Sequence, residues 1–178
     1  MELILIRHAL PVRMESADGS PVDPHLSDEG RAQADALARW WGKRPLDRIY
    51  ASPLLRARET ARPLCDALGL EATIEPGVVE FDREAGEYIP IEELKRTDYP
   101  RWKAFVDGAL DDLADLASFR DAVIGSLERI IEENAGRRVA VVCHGGVINT
   151  WAAKVLGLEP RLFFDPDYTS LNRFMAAR

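Results

Sequence analysis

Two histidines stand directly behind the two most apolar runs of the chain. Leu-Ile-Leu-Ile over 3–6 leads into Arg7-His8, and Val-Ala-Val-Val-Cys over 139–143 leads into His144-Gly145-Gly146. An imidazole can act as nucleophile or proton carrier, and a guanidinium beside it holds an oxyanion through paired N–H donors. Arg56 adds a second guanidinium. With Ser52 as N-cap and Pro53 as the first helical residue, it falls at the fourth helical position, close to free N–H groups and a dipole end that favour phosphate. Two arginines, two histidines and a helix start describe a phosphate site. His25 lies in a polar loop, and Arg58 and Arg62 fall on an exposed helix face, so these three read as solvated.

Other phosphate and acyl chemistries lack their required residues. A cysteine nucleophile of the Cys-x5-Arg type is absent, since Asn149 stands six residues after Cys143 and Glu71 six after Cys65. DPDYT over 165–169 matches an Asp-x-Asp-x-Thr string, but only nine residues follow it, too few for the lysine and acidic ligands such a site needs. It reads as a turn entering the last strand. The HGG run has no Gly-x-Ser-x-Gly nucleophile elbow to serve. Adjacent Cys143-His144 is a poor chelating pair, and no P-loop occurs. A histidine is the nucleophile that remains.

The elements around these residues alternate. Residues 2–6 and 138–143 are short apolar runs of the kind buried on both faces of a sheet. RIYAS over 48–52 and residues 71–74 are further strand candidates, and a last β-rich stretch lies near 169–175. Ser27 caps a helix whose Ala34, Leu37, Ala38 and Trp41 repeat on one face, which gives Trp41 a core role. A second helix follows Pro53, with Pro63 expected to kink or restart it. Short helices are expected near 91–96 and 99–107. A long helix carries Leu116, Val123, Leu127, Ile130 and Ile131 and closes at Asn134-Ala135-Gly136, and another covers 147–157. Residues 11–26 read as loop. Strands alternating with helices predict a three-layer α/β/α sandwich around a mostly parallel sheet. In such sheets ligands bind beyond the carboxyl ends of the strands, where both histidines fall.

Composition narrows the partners. Hydrophobic residues at 47% and charged residues at 30% suit one globular domain over 1–178. A net charge of −7 argues against a nucleic-acid partner. No apolar run reaches the roughly 20 residues a membrane span needs. Cys65 and Cys143, without a secretion signal, read as reduced thiols, and the expected location is cytoplasmic.

Four motifs in order resemble the histidine phosphatase superfamily, the phosphoglycerate-mutase-like proteins. LIRHA over 5–9 resembles that family's strand followed by Arg-His-Gly, and LSDEGRAQADAL over 26–37 its Leu-Thr-x-x-Gly-x-x-Gln-Ala helix start. IYASPLLRARETA over 49–61 resembles Tyr-Ser-Ser-Pro-Leu-x-Arg-Ala-x-Gln-Thr-Ala, and VVCHGGVI over 141–148 the second-histidine segment. The resemblance implies His8 as nucleophile, Arg7 and Arg56 as phosphate clamps, and His144 as a further phosphate contact that stabilises transferring charge. It implies Glu80, in VVEFD over 78–82, as proton donor, with Glu84 and Glu87 as alternatives.

Some family positions differ. Ala9 replaces the glycine after the first histidine, and Pro11 and Met14 replace a Ser/Thr and an Asn that contact phosphate. Arg13 is expected to supply part of the missing grip, with Gly145 as a possible substrate contact. Residues 83–112, with Arg83, Tyr88, Lys95, Arg101, Trp102 and Lys103, are expected to form a lid that sets specificity. The reading is a metal-independent phosphomonoesterase without cofactor, acting on a small phosphorylated substrate through a phosphohistidine. Phosphoglycerate-mutase-type phosphotransfer and a non-catalytic phospho-ligand binder are the alternatives.

Overall fold

The computed structural model describes residues 1–42, 44–106, 116–158 and 162–176. Five strands form the main sheet: β1 (Glu2–Arg7), β3 (Arg48–Ala51), β4 (Ala72–Ile74), β6 (Arg138–Cys143) and β7 (Leu171–Met175), in the order β4-β3-β6-β1-β7. The first four run parallel, and only the edge strand β7 is antiparallel to its neighbour β1. Side-chain alternation on β1 and β6 sorts two cores. Leu3, Leu5, Val139, Val141 and Cys143 point to one face, where α5 (Leu116–Glu133) and α6 (Gly145–Leu156) pack through Val123, Leu127, Ile130, Ile148 and Trp151. Ile4, Ile6, Ala140 and Val142 point to the other, covered by α1 (Asp28–Trp41) and α2 (Leu55–Leu68). Strands buried on both faces need this continuous apolar sequence, and the expected three-layer sandwich follows from it.

Ser27 caps α1 as expected, accepting from Gly30 N–H at 3.0 Å. One expectation about α2 needs correction. Its N-cap is Leu54, so Ser52 lies outside the helix and Arg56 stands at its second position, not its fourth. Of the two outcomes expected at Pro63, the restart does not occur, and the helix continues to Leu68. Ala57 and Ala61 before the proline and Leu64 and Cys65 after it are all buried in the same core. That shared burial outweighs the single backbone hydrogen bond a proline removes.

The loop over 11–26 contains an unforeseen strand. β2 (Met14–Glu15) pairs antiparallel with β5 (Glu87–Tyr88), pairing Met14 with Tyr88. α3 (Ile91–Thr97) and α4 (Tyr99–Val106) follow, close to the expected short helices. Residues 107–112 of the expected lid lie outside the described residues. α6 begins at Gly145, two residues before the expected start. Cys65 and Cys143 are free and buried. No described helix is long and apolar enough to cross a membrane.

Candidate active site

Strand register brings the histidines together. β1 and β6 are adjacent and parallel with Arg7 opposite Cys143, so His8 and His144 are the next residues off neighbouring strand ends. The His8 amide donates to the Cys143 carbonyl at 2.9 Å, and the two rings lie 5.1 Å apart between centroids. On the other side of β6, the strand β3 ends at Ala51, and the Ser52 amide donates to Val142 at 2.9 Å. The three strand ends therefore deliver His8, His144 and Ser52 to one floor, all buried.

Hydrogen bonding fixes the chemistry of each ring. His8 Nδ1 lies 2.8 Å from the Ala9 carbonyl oxygen, which can only accept. Nδ1 therefore carries the proton, and Nε2 keeps its lone pair for attack. Burial, and then the charges of Arg56 and Arg7, hold the His8 pKa well below its ordinary value, so the ring stays neutral and nucleophilic at pH 7. His144 Nε2 lies 2.7 Å from Ser52 Oγ. Ser52 Oγ also accepts from the Leu54 amide at 3.4 Å, which leaves its own proton to donate to His144. In that arrangement Nδ1 of His144 carries N–H, and this atom is buried without a partner, as a donor awaiting an anion would be. Burial, Arg56 and His8 also push the His144 pKa well down.

The arginines flank the histidines, both deeply buried. Arg7 Nη1 donates to the Pro166 carbonyl at 2.5 Å, Glu92 at 3.2 Å and Asp165 at 3.3 Å. Arg56 Nη2 donates to Asp82 at 3.0 Å, with Asp23 4.0 Å from its Nη1. Each guanidinium faces a tyrosine ring, Arg7 over Tyr168 at 4.1 Å and Arg56 over Tyr88 at 4.7 Å. Both Nε atoms are buried and unpartnered, although a buried guanidinium ordinarily satisfies its donors. Thr60 ties the two sides together: its hydroxyl donates to the Arg56 carbonyl at 2.7 Å and accepts from the Ala9 amide at 2.9 Å.

Glu80 follows the 3₁₀ turn Pro76–Val78 and is buried at the start of α6. Its Oε2 accepts from Gly146 N–H at 2.9 Å and its Oε1 from Phe81 N–H at 3.2 Å. Burial dominates these bonds and, with Asp82 nearby, pushes its pKa up to about 7. Gly146 permits this approach, because a Cβ there would stand 2.3 Å from Glu80 Oε1. The alternatives stand elsewhere. Glu84 is exposed beside Arg83, while Glu87 pairs with Arg13 and Arg101. Arg13 is half exposed and also pairs with Glu93. Gly145 opens α6. His25, Arg58 and Arg62 are exposed.

Sequence reasoning missed Ser52, Asp82, Glu92, Asp165 and Tyr168 as members of the site. The DPDYT segment is more than an entry to the last strand, since it carries Asp165 and Tyr168 to Arg7. A signal existed for Ser52 alone, as a polar residue at the end of an apolar strand candidate.

Known proteins share the family and the fold. Residues 3–177 match the model of the histidine phosphatase superfamily, branch 1. Phosphoserine phosphatase 1 of Hydrogenobacter thermophilus is 30% identical, the match covering 92% of this chain and 80% of the relative. A probable phosphoglycerate mutase of Yersinia enterocolitica is 26% identical over 90% of this chain and 77% of its own. Among solved structures, a phosphoserine phosphatase variant from Entamoeba histolytica in complex with phosphoserine superposes with a TM-score of 0.74 at 26% identity, covering 98% of this chain and 90% of that one. A phosphoserine phosphatase from the same organism has been solved with 3-phosphoglyceric acid and gives a TM-score of 0.71 at 26% identity, with the same coverage. On the family match over residues 3–177 and the similarity to these relatives and structures, the chain belongs to the histidine phosphatase superfamily, branch 1, and is a phosphohydrolase of that family.

Proposed function

We propose that the protein hydrolyses small phosphomonoesters in two steps through a phosphohistidine on His8. One observation carries this reading. His8 Nδ1 is tied to the Ala9 carbonyl, so the Nε2 lone pair is presented in a pocket that also holds two buried guanidiniums. In the first step Nε2 forms a bond to phosphorus as the ester P–O bond breaks. Glu80, with a pKa near 7, gives its proton to the departing oxygen. In the second step the Glu80 carboxylate takes a proton from water, whose oxygen bonds to phosphorus as the P–N bond breaks. Arg7, Arg56 and His144 Nδ1–H stabilise charge on the phosphoryl oxygens throughout.

The cationic groups around the phosphate are side chains, which supports a reaction that needs no metal. The described part of residues 83–112, with β5, α3 and α4, serves as the lid, Arg13 and Gly145 as substrate contacts, and the buried thiols fit a cytoplasmic setting. Rapid quench with radiolabelled substrate should trap an acid-labile, alkali-stable phosphoenzyme, and activity should survive EDTA. Absence of the label, or loss of activity on chelation that magnesium or zinc restores, would overturn the mechanism. The mutase alternative rests on the similarity to a probable phosphoglycerate mutase. It would show as phosphoglycerate interconversion without net phosphate release.

A further inference from the structure

The pocket floor is cationic, but its mouth is not. Glu92 from α3 and Asp165 from the segment before β7 both lean on one nitrogen of Arg7. Arg56 is likewise faced by Asp82 and Asp23. Four carboxylates thus stand against two guanidiniums before any substrate arrives. Their side chains remain 29–55% exposed, whereas both guanidiniums are buried. Burial raises the Asp165 pKa, with Glu92 and Asp167 adding to the rise and Arg7 and Lys95 opposing it. Of the lid cations, Lys95, which lies over the Trp102 ring at 4.6 Å, offsets part of the negative charge at Asp165, while Arg13 is engaged by Glu87 and Glu93 and Arg101 by Glu87.

Both arginines keep Nε without a partner in the buried floor. A phosphate that binds Arg7 comes within reach of the carboxylates paired with it. Whatever the phosphate carries then meets Glu92 and Asp165. We infer that the preferred substrates are phosphomonoesters whose alcohol bears a cationic amino group, read by Glu92 and Asp165. This rests on the phosphatase reading above. An alcohol carrying a carboxylate would instead meet like charge, which is repulsive wherever water is partly excluded.

The test compares kcat/KM for three esters of similar size: 2-aminoethyl phosphate, propyl phosphate and 2-carboxyethyl phosphate. The amino ester should exceed the carboxy ester by roughly tenfold or more at low salt. Added salt should narrow that gap, because the carboxylates are partly exposed. An ammonium also makes the oxygen a better leaving group, so the deciding quantity is the change in ratio on mutation. Glu92→Gln with Asp165→Asn keeps the acceptors for Arg7 but removes both charges, and should shrink the ratio several-fold. The salt response of the unaltered protein supplies an independent reading if that variant folds poorly. Preference for the carboxy ester, or a ratio indifferent to both salt and mutation, would overturn the inference and leave the phosphatase reading intact. Failure to release phosphate from all three and from p-nitrophenyl phosphate would sink both.

Discussion

The floor and the mouth of the pocket are built by different means. Floor residues sit at the ends of parallel strands, where the register of β1, β6 and β3 fixes them through backbone hydrogen bonds, and His8, Ser52 and His144 are almost fully buried. Mouth residues arrive on a two-residue ribbon, short helices and an irregular segment, and most are half exposed. The contrast matches a division of labour: invariant phosphoryl chemistry needs pre-organisation, while recognition of the leaving alcohol tolerates variation on loops. Substitutions in the floor should therefore act on rate by orders of magnitude, and those in the mouth by small factors.

The largest effect is expected from His8→Ala. It should abolish the phosphoenzyme and lower phosphate release by at least about 10⁴-fold, since it removes the group that bonds to phosphorus. Retention of label in this variant, or its loss only in His144→Ala, would move the nucleophile elsewhere.

Glu80→Gln should slow enzyme phosphorylation by alkyl phosphates about 10²–10⁴-fold. p-Nitrophenyl phosphate should lose far less, because nitrophenolate leaves without a proton. Single-turnover rates are required, since Glu80 also serves the shared hydrolysis step. Equal losses on both esters would give Glu80 a structural role only.

Gly146→Ala tests the same carboxylate indirectly. The new Cβ would fall 2.3 Å from Glu80 Oε1 and 2.7 Å from the Phe81 ring, so the acid must shift. A misplacement of about 1 Å costs on the order of 10²-fold in rate. Alkyl phosphates should again suffer more than p-nitrophenyl phosphate, and parity between the two would exclude an effect through Glu80.

Two pH dependences follow. Activity on alkyl phosphates should fall above about pH 7 as Glu80 loses its proton, while the depressed His8 pKa leaves the nucleophile neutral well into the acid range. Stability should follow the same group. Its native pKa of about 7 exceeds the ordinary 4.5, so the native state binds the proton more tightly than the unfolded chain. The stability that Glu80 contributes is therefore fully present below pH 4.5 and is lost as pH rises to about 7, on the order of 3 kcal/mol. The depressed His8 and His144 act in the opposite sense as pH falls, so the comparison with Glu80→Gln isolates the acid. Glu80→Gln should remove this decline and raise Tm at pH 8 by several degrees. An unchanged Tm difference between pH 4.5 and pH 8 would contradict the burial of an acid.

The smallest effect is expected in the mouth. Tyr168→Leu removes the ring beneath Arg7, a contact worth about 0.5–1 kcal/mol, and should raise KM about two- to fivefold with phosphoenzyme formation intact. A collapse of kcat would assign Tyr168 to the floor instead.

The division also separates what could be read from the chain alone. Leu3–Ile6 and Val139–Cys143 are apolar at every position, so they had to be central strands, and polar residues directly behind them had to emerge at strand ends. His8, His144 and the sandwich itself follow from that local pattern. Arg56 was assigned to a helix start, though its position shifted when the cap proved to be Leu54 rather than Ser52. Ser52 is instead spent on His144, 92 residues away in sequence. No local pattern encodes such a pairing, because it depends on β3 and β6 lying side by side. Tyr88 was foreseen only within a broad lid, and Tyr168 and Asp165 only as a turn. They reach the arginines because β5 pairs with β2 and because the chain returns antiparallel beside β1. Burial of Glu80 likewise needs Gly146, whose missing Cβ matters only once α6 has packed against that loop. Sequence therefore determined the strands and the residues that must follow them, since burial on both faces imposes its own composition. Tertiary structure decided which distant side chains meet there, because long-range register is fixed by packing of the whole sheet and its helices.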